Sequence, residues 1–143
     1  MDERYKGLME AAVAVRERAY APYSDFCVGA ALLAGDGRVF TGCNVENAGF
    51  TPTNCAERTA VFKAISEGVR EFAAIAVVGG KSGTLSPLCA PCGVCRQVLA
   101  EFCPADFPVI LGTPDKLHVT TLGELLPLAF TGSELSSHLP LQR

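Results

Sequence analysis

FCVGAALLA (Phe26–Ala34), then GDG (Gly35–Gly37), then RVFTGCNVE (Arg38–Glu46), is the stretch that decides how the rest of the chain is arranged. The first run is apolar at nearly every position, the pattern of a strand buried on both faces rather than one with a wet side. Gly35 and Gly37 allow the positive φ that a tight connection needs, so the two runs read as a β-hairpin. A strand buried on both faces calls for helices above and below it.

Those helices can be read outward from the hairpin. Upstream, Leu8, Ala11, Ala12, Val15 and Ala19 recur at helical spacing, which predicts an amphipathic helix from Asp2 to Ala19. Downstream, CAERTAVFKAISEG (Cys55–Gly68) reads as a helix that Asn54 can cap and Gly68 stops, with Val61, Phe62 and Ile65 on one face. FAAIAVVG (Phe72–Gly79) is a buried strand, and PCGVCRQVLAEF (Pro91–Phe102) is a third helix with Pro91 at its first position, where a missing N–H costs nothing. FPVILG (Phe107–Gly112) and LHVTT (Leu117–Thr121) are further strands. TLGELLPLAF (Thr121–Phe130) opens with a capping box of Thr121 and Glu124, and Pro127 ends it. The order α-β-β-α-β-α-β-β-α predicts one α/β domain over residues 1–143, a three-layer α/β/α arrangement around a central mixed five-stranded sheet.

The composition narrows the function. The 143 residues are 49% hydrophobic, yet no run approaches the 18 or so apolar residues that a membrane span needs. The charged start MDERYKGLME has no apolar signal core, so a cytoplasmic protein is expected. A formal net charge of −3 argues against nucleic acid, which is normally met by a basic face, and favours a small ligand. Seven cysteines, an odd number, make a disulfide framework a poor explanation and point to metal binding or catalysis.

Cys92 and Cys95, at i and i+3, share one face of a helix's first turn, a spacing at which two thiolates can grip one zinc. The positive end of the helix favours thiolate over thiol, and Cys55 begins another helix with the same advantage. Three thiolates and an open fourth position make a catalytic pattern of one zinc per chain. Glu57, two residues after Cys55, is placed to exchange a proton with a water at that position, and Arg58 at i+3 can donate to the thiolates and draw off their charge. Other metal readings compete. CAPCGVC (Cys89–Cys95) also begins an iron–sulfur run, but the fourth cysteine of that run would stand where Leu99 is. A closed structural zinc with Cys89 as fourth ligand would leave Glu57 and Arg58 idle. His118 and His138 lie away from these motifs and are assigned no role.

Cys55-Ala-Glu57 together with Pro91-Cys92-Gly-Val-Cys95 resembles the known signature of the zinc deaminases, and specifically the small homotetrameric cytidine deaminases. YAPYSDFCVGAAL, GCNVENAGF, NCAERTAVFKAISEG, PCGVCRQVLAEF and LLPLAF all stand in that family's order. The resemblance implies hydrolytic deamination of cytidine and 2′-deoxycytidine in pyrimidine salvage, with Glu57 as proton shuttle and the backbone N–H at Ala56 on the ring's O2. It further implies that Asn44 and Glu46 hold the ribose 3′-hydroxyl and that Phe26 packs on the pyrimidine. Pockets in the family are completed by neighbouring subunits, at positions matched here by Ala48 and Phe50 from one partner and Phe130 from another. Position 50 is often Tyr in that family, and Phe50 lacks its hydroxyl. Two alternatives remain: deamination of another cytosine compound, and a zinc-binding interaction module without catalysis.

Overall fold

The hairpin forms as its apolar pattern requires. In the computed structural model, which describes residues 2–135, strands β1 (Phe26–Ala34) and β2 (Val39–Cys43) pair antiparallel, with Gly29 opposite Cys43 and Leu33 opposite Val39. Gly37 in the connection takes φ 94°, a conformation that favours glycine. On its other side β1 pairs antiparallel with β3 (Phe72–Lys81), Phe26 lying opposite Lys81. β3 pairs parallel with β4 (Pro108–Thr113), and β4 pairs antiparallel with β5 (Lys116–Thr121). The sheet order is therefore β2-β1-β3-β4-β5, a mixed five-stranded sheet.

Residues alternate between the two faces of β1, as the period of a strand dictates. Ala30, Leu32 and Ala34 pack toward α2 (Ala56–Ser66) and α3 (Gly93–Phe102), in a core with Ile75, Val77, Val109 and Leu111. Ala31 and Leu33 pack with Leu8, Met9 and Ala12 of α1 (Arg4–Arg16) on the other face, joined by Ala74, Ala76, Val78 and Ile110. The three layers expected from the apolar hairpin are present.

Contact between α2 and β2 is close enough to exclude a side chain. A Cβ added at Gly42 would lie 2.5 Å from the Ala56 carbonyl oxygen and 2.6 Å from the Ala60 nitrogen, both backbone atoms. Gly42 thus lets the first turn of α2 rest directly on the sheet. Gly42→Ala is expected to destabilise the fold by about 1–3 kcal/mol, as overpacking does. Exposed Gly7 within α1, where nothing lies within 4 Å of an added Cβ, provides the contrast. Gly7→Ala should stabilise by about 0.5–1 kcal/mol. Denaturant unfolding of the two variants checks the sign of each, and equal effects would contradict the close contact at Gly42.

Several element ends differ from expectation, each for a local reason. α1 stops at Arg16 rather than Ala19, and Arg16 is buried, its guanidinium donating to the carbonyls of Cys27, Gly80, Lys81 and Thr84. Asn54 does not cap α2: its backbone exchanges hydrogen bonds of 2.9 Å with Val45, and Cys55 takes the cap position. The buried positions of α2 are Ala56, Glu57, Ala60, Val61 and Ala64, which leaves Phe62 outward rather than beside Val61. α3 begins at Gly93 with Cys92 as its cap, so Pro91 precedes the helix. The last α-helix, α4 (Leu122–Leu125), is one turn long and ends before Pro127. Thr121 does accept from the Glu124 N–H at 3.2 Å, but the Glu124 carboxylate returns to the Thr120 and Thr121 hydroxyls and not to the backbone. Leu125 and Leu126 pack against the core, leaving Leu128, Phe130 and Leu135 as the large apolar side chains that the described part of the tail exposes. Exposed His118 lies on β5 opposite Leu111, and His138 falls outside the described residues.

Candidate active site

Two helix starts meet at the site. Cys55 caps α2 and Cys92 caps α3, each with extended backbone and neither using its side chain as a cap. Their carbonyls open the helical ladders, accepting from the N–H groups of Thr59 at 3.0 Å and Arg96 at 2.9 Å. The sulfurs are thereby left to face each other. Cys55 Sγ and Cys92 Sγ lie 3.8 Å apart, and those two with Cys95 Sγ fall within 4.8 Å of one another.

This donor set fits zinc. Two thiolates bound at about 2.3 Å to a tetrahedral zinc lie about 3.8 Å apart, the separation that Cys55 and Cys92 already have. Hydrogen bonding from the Cys95 thiol, with help from Arg58 and Cys92, holds Cys55 down at about 5 despite its partial burial. Cys95 is correspondingly raised by sharing its proton with Cys55. Arg58 Nη2 donates to Cys55 Sγ at 3.3 Å, as the i+3 spacing predicts, while its buried Nε has no partner among the described residues. Cys89 stands outside the cluster, and burial pushes its thiol up to about 11. Among the described residues the three cysteines are the one converging group of metal-ligand side chains.

Glu57 belongs to the buried face of α2 and is 4% exposed. Burial pushes its carboxyl up to about 7, into the range where a carboxyl both accepts and returns a proton. It lines a cavity of about 300 Å³ together with Cys55, Ala56, Cys92, Phe26, Asn44 and Glu46. That volume is at the lower end of small-molecule sites.

The polar wall of the cavity is rigidly held. Asn44 Oδ1 accepts from the Val28 N–H and its Nδ2 donates to the Phe26 carbonyl, both at 2.8 Å, so the amide continues the sheet while its second N–H has no partner among the described residues. Glu46 accepts from the Tyr23 N–H at 2.9 Å and the Ser24 N–H at 3.1 Å, and from the Ser24 hydroxyl. Ala48 and Phe130 do not line this cavity, and Phe50 lines an adjoining one that shares Ser24, Glu46 and Thr53. Ser24 and Thr53 are wall residues that sequence reasoning did not single out, and Cys89, weighed there only as a metal ligand, joins them. Ser24 stands in the YAPYSDF stretch, but nothing in its spacing signals that its hydroxyl will meet a carboxylate 22 residues away.

Residues 2–111 match the family model described as the cytidine and deoxycytidylate deaminase zinc-binding region. The chain belongs to this deaminase family. It is 55% identical over 122 residues to a cytidine deaminase of Sporosarcina psychrophila, covering 85% of this chain and 87% of that one. It is 54% identical over 130 residues to a cytidine deaminase of Halalkalibacterium halodurans, covering 90% and 96%. Among solved structures, the crystal structure of cytidine deaminase from Burkholderia pseudomallei superposes with a TM-score of 0.80 at 53% identity, covering 91% of this chain and all of that one. The protein is thus a deaminase-family enzyme whose Cys55/Cys92/Cys95 cluster fits the family's zinc site. No helix among the described residues is long and apolar enough to cross a membrane.

Proposed function

We propose that the enzyme hydrolytically deaminates cytidine and 2′-deoxycytidine to uridine and 2′-deoxyuridine with release of ammonia, serving pyrimidine salvage in the cytoplasm. The observation that carries this reading is a buried Glu57 in the same cavity wall as Cys55 and Cys92, on whose sulfurs Cys95 converges. Cys55, Cys92 and Cys95 would hold a zinc, which when bound would bring the pKa of a water toward neutrality. Glu57 takes one proton from the attacking water and delivers it to ring N3 as the oxygen adds to C4, then takes the second from the new C4 hydroxyl and passes it to the amine as the C4–N bond breaks. Arg58, bonded to Cys55 Sγ, draws charge from the thiolates. The Ala56 N–H at the start of α2 meets the ring's O2, Phe26 packs on the ring, and Asn44 with Glu46 holds the 3′-hydroxyl.

A free nucleoside suits the cavity better than a nucleotide. Among its described lining residues Glu46 and Glu57 are acidic and there is no Lys or Arg, so a phosphate would meet repulsion without compensation. A panel of cytosine, cytidine, deoxycytidine and their monophosphates tests this. The two nucleosides are expected to turn over and the monophosphates to be poor substrates. Preferred turnover of a monophosphate would reverse the assignment.

The active unit in this reading is a homotetramer. Phe50 is 88% exposed, Phe130 59% and Leu128 fully so, apolar surface of the kind that subunit contacts cover. Ala48 and Phe50 of one neighbour and Phe130 of another then complete each cavity. Phe130→Ala should weaken substrate binding, and mixing it with Glu57→Gln subunits should restore some activity, because both defects can then fall in one site and leave another complete. A fully active monomer by light scattering, or no recovery in demonstrably mixed oligomers, would contradict shared pockets.

A further inference from the structure

We infer that Arg96 is a positioning residue that sets the metal-ligand loop and the C-terminal segment carrying Phe130 together, with Gln97 fixing that segment's far end. Arg96 directly follows Cys95 in α3, and its guanidinium reaches in two directions. Nε donates to the Pro91 carbonyl at 2.7 Å and Nη1 donates to the Leu125 carbonyl at 2.6 Å. The Pro91 carbonyl lies in the peptide plane that also contains the Cys92 nitrogen and Cα, so holding it orients the backbone from which Cys92 projects. The Leu125 carbonyl is one of those that the one-turn α4 leaves without a helical partner, and Arg96 satisfies it.

Beyond Leu125 the chain departs from regular structure. Pro127 and Leu128 are exposed, and Leu128 takes φ 54°, an uncommon conformation for a branched apolar residue. The segment returns to α3 where Gln97 Nε2 donates to the Phe130 carbonyl at 2.8 Å. Residues 125–130 are thus clamped at both ends by adjacent side chains of the helix that carries Cys95. Among the described residues, only Arg96 hydrogen-bonds both this segment and the Cys92 loop. A lysine keeps the charge but lacks the fixed fork that spans two separate carbonyls. The consequence for substrate affinity rests on the proposed role of Phe130 in closing a pocket, whereas the mechanical link does not.

The test is backbone hydrogen exchange of the zinc-loaded full chain over 88–94 and 125–131, with zinc release to a chromogenic chelator followed in parallel. Gln97→Leu should speed exchange in 125–131 about tenfold and leave both 88–94 and zinc release as in the parent. Arg96→Lys should speed exchange in both segments and zinc release by about tenfold, the lower end of what an outer partner of a metal site contributes. KM for cytidine should rise in both variants by a larger factor than kcat falls. A purely structural Arg96 would instead speed exchange throughout β1 and β3. That result, or a disturbance by Arg96→Lys of one segment alone, overturns the inference. Exchange and zinc release need no turnover, so an enzyme inactive on cytidine would defeat the proposed function while these two readouts still decide the link.

Discussion

Glu57→Gln should lower turnover by about two or more orders of magnitude with zinc still bound, roughly what a positioned general acid–base contributes. Gln has nearly the shape of Glu and fills the same buried position on α2, so neither the packing around Ala60 and Val61 nor the three sulfurs should move. What is lost is the ability to accept a proton at one stage and deliver it at another. The reading requires that loss to fall on kcat. Metal analysis beside steady-state kinetics measures it, and near-normal turnover in zinc-loaded Glu57→Gln would remove Glu57 from the mechanism.

Cys55→Ala should cost both metal and activity. Only two sulfurs would remain, and Arg58 would lose the acceptor it now meets at 3.3 Å. Zinc affinity is expected to fall by more than the about 10–100-fold that an outer partner costs, and activity should fall to background. Cys89→Ser is the control. Cys89 lines the cavity but lies outside the sulfur cluster, so this variant should keep its zinc. Loss of zinc from Cys89→Ser would revive the closed structural site that leaves no room for a reacting water.

The hairpin and its covering helices were legible because β1 is apolar on both faces, a pattern with few structural solutions. Cys92 and Cys95 were legible because one helical turn places them together. Cys55, 37 residues from Cys92, could be joined to them only by chemistry and by family likeness. What escaped depended on long-range backbone partners. Buried Arg16 reads in sequence as one more charge on an amphipathic helix, yet its acceptors come from β1, β3 and the loop after β3. Asn54 has an ideal capping side chain, but its pairing with Val45 commits its backbone first and moves the cap one residue on. The holds of Arg96 on Leu125 and Gln97 on Phe130 span 29 and 33 residues, and no local pattern announces them. Ala48, Phe50 and Phe130 were assigned by likeness to act on a neighbour's pocket, and the fold of one chain leaves them outside its own cavity.

The central claim is that three thiolates, a zinc and a buried carboxyl deaminate a free cytosine nucleoside. Its most direct test combines metal analysis of the purified protein with the ultraviolet absorbance of cytidine, before and after zinc is removed by a chelator and restored. The account predicts about one zinc per chain, loss of cytidine absorbance with matching release of ammonia, abolition on chelation and recovery with zinc. A fully zinc-loaded protein that leaves both cytidine and deoxycytidine unchanged would contradict it.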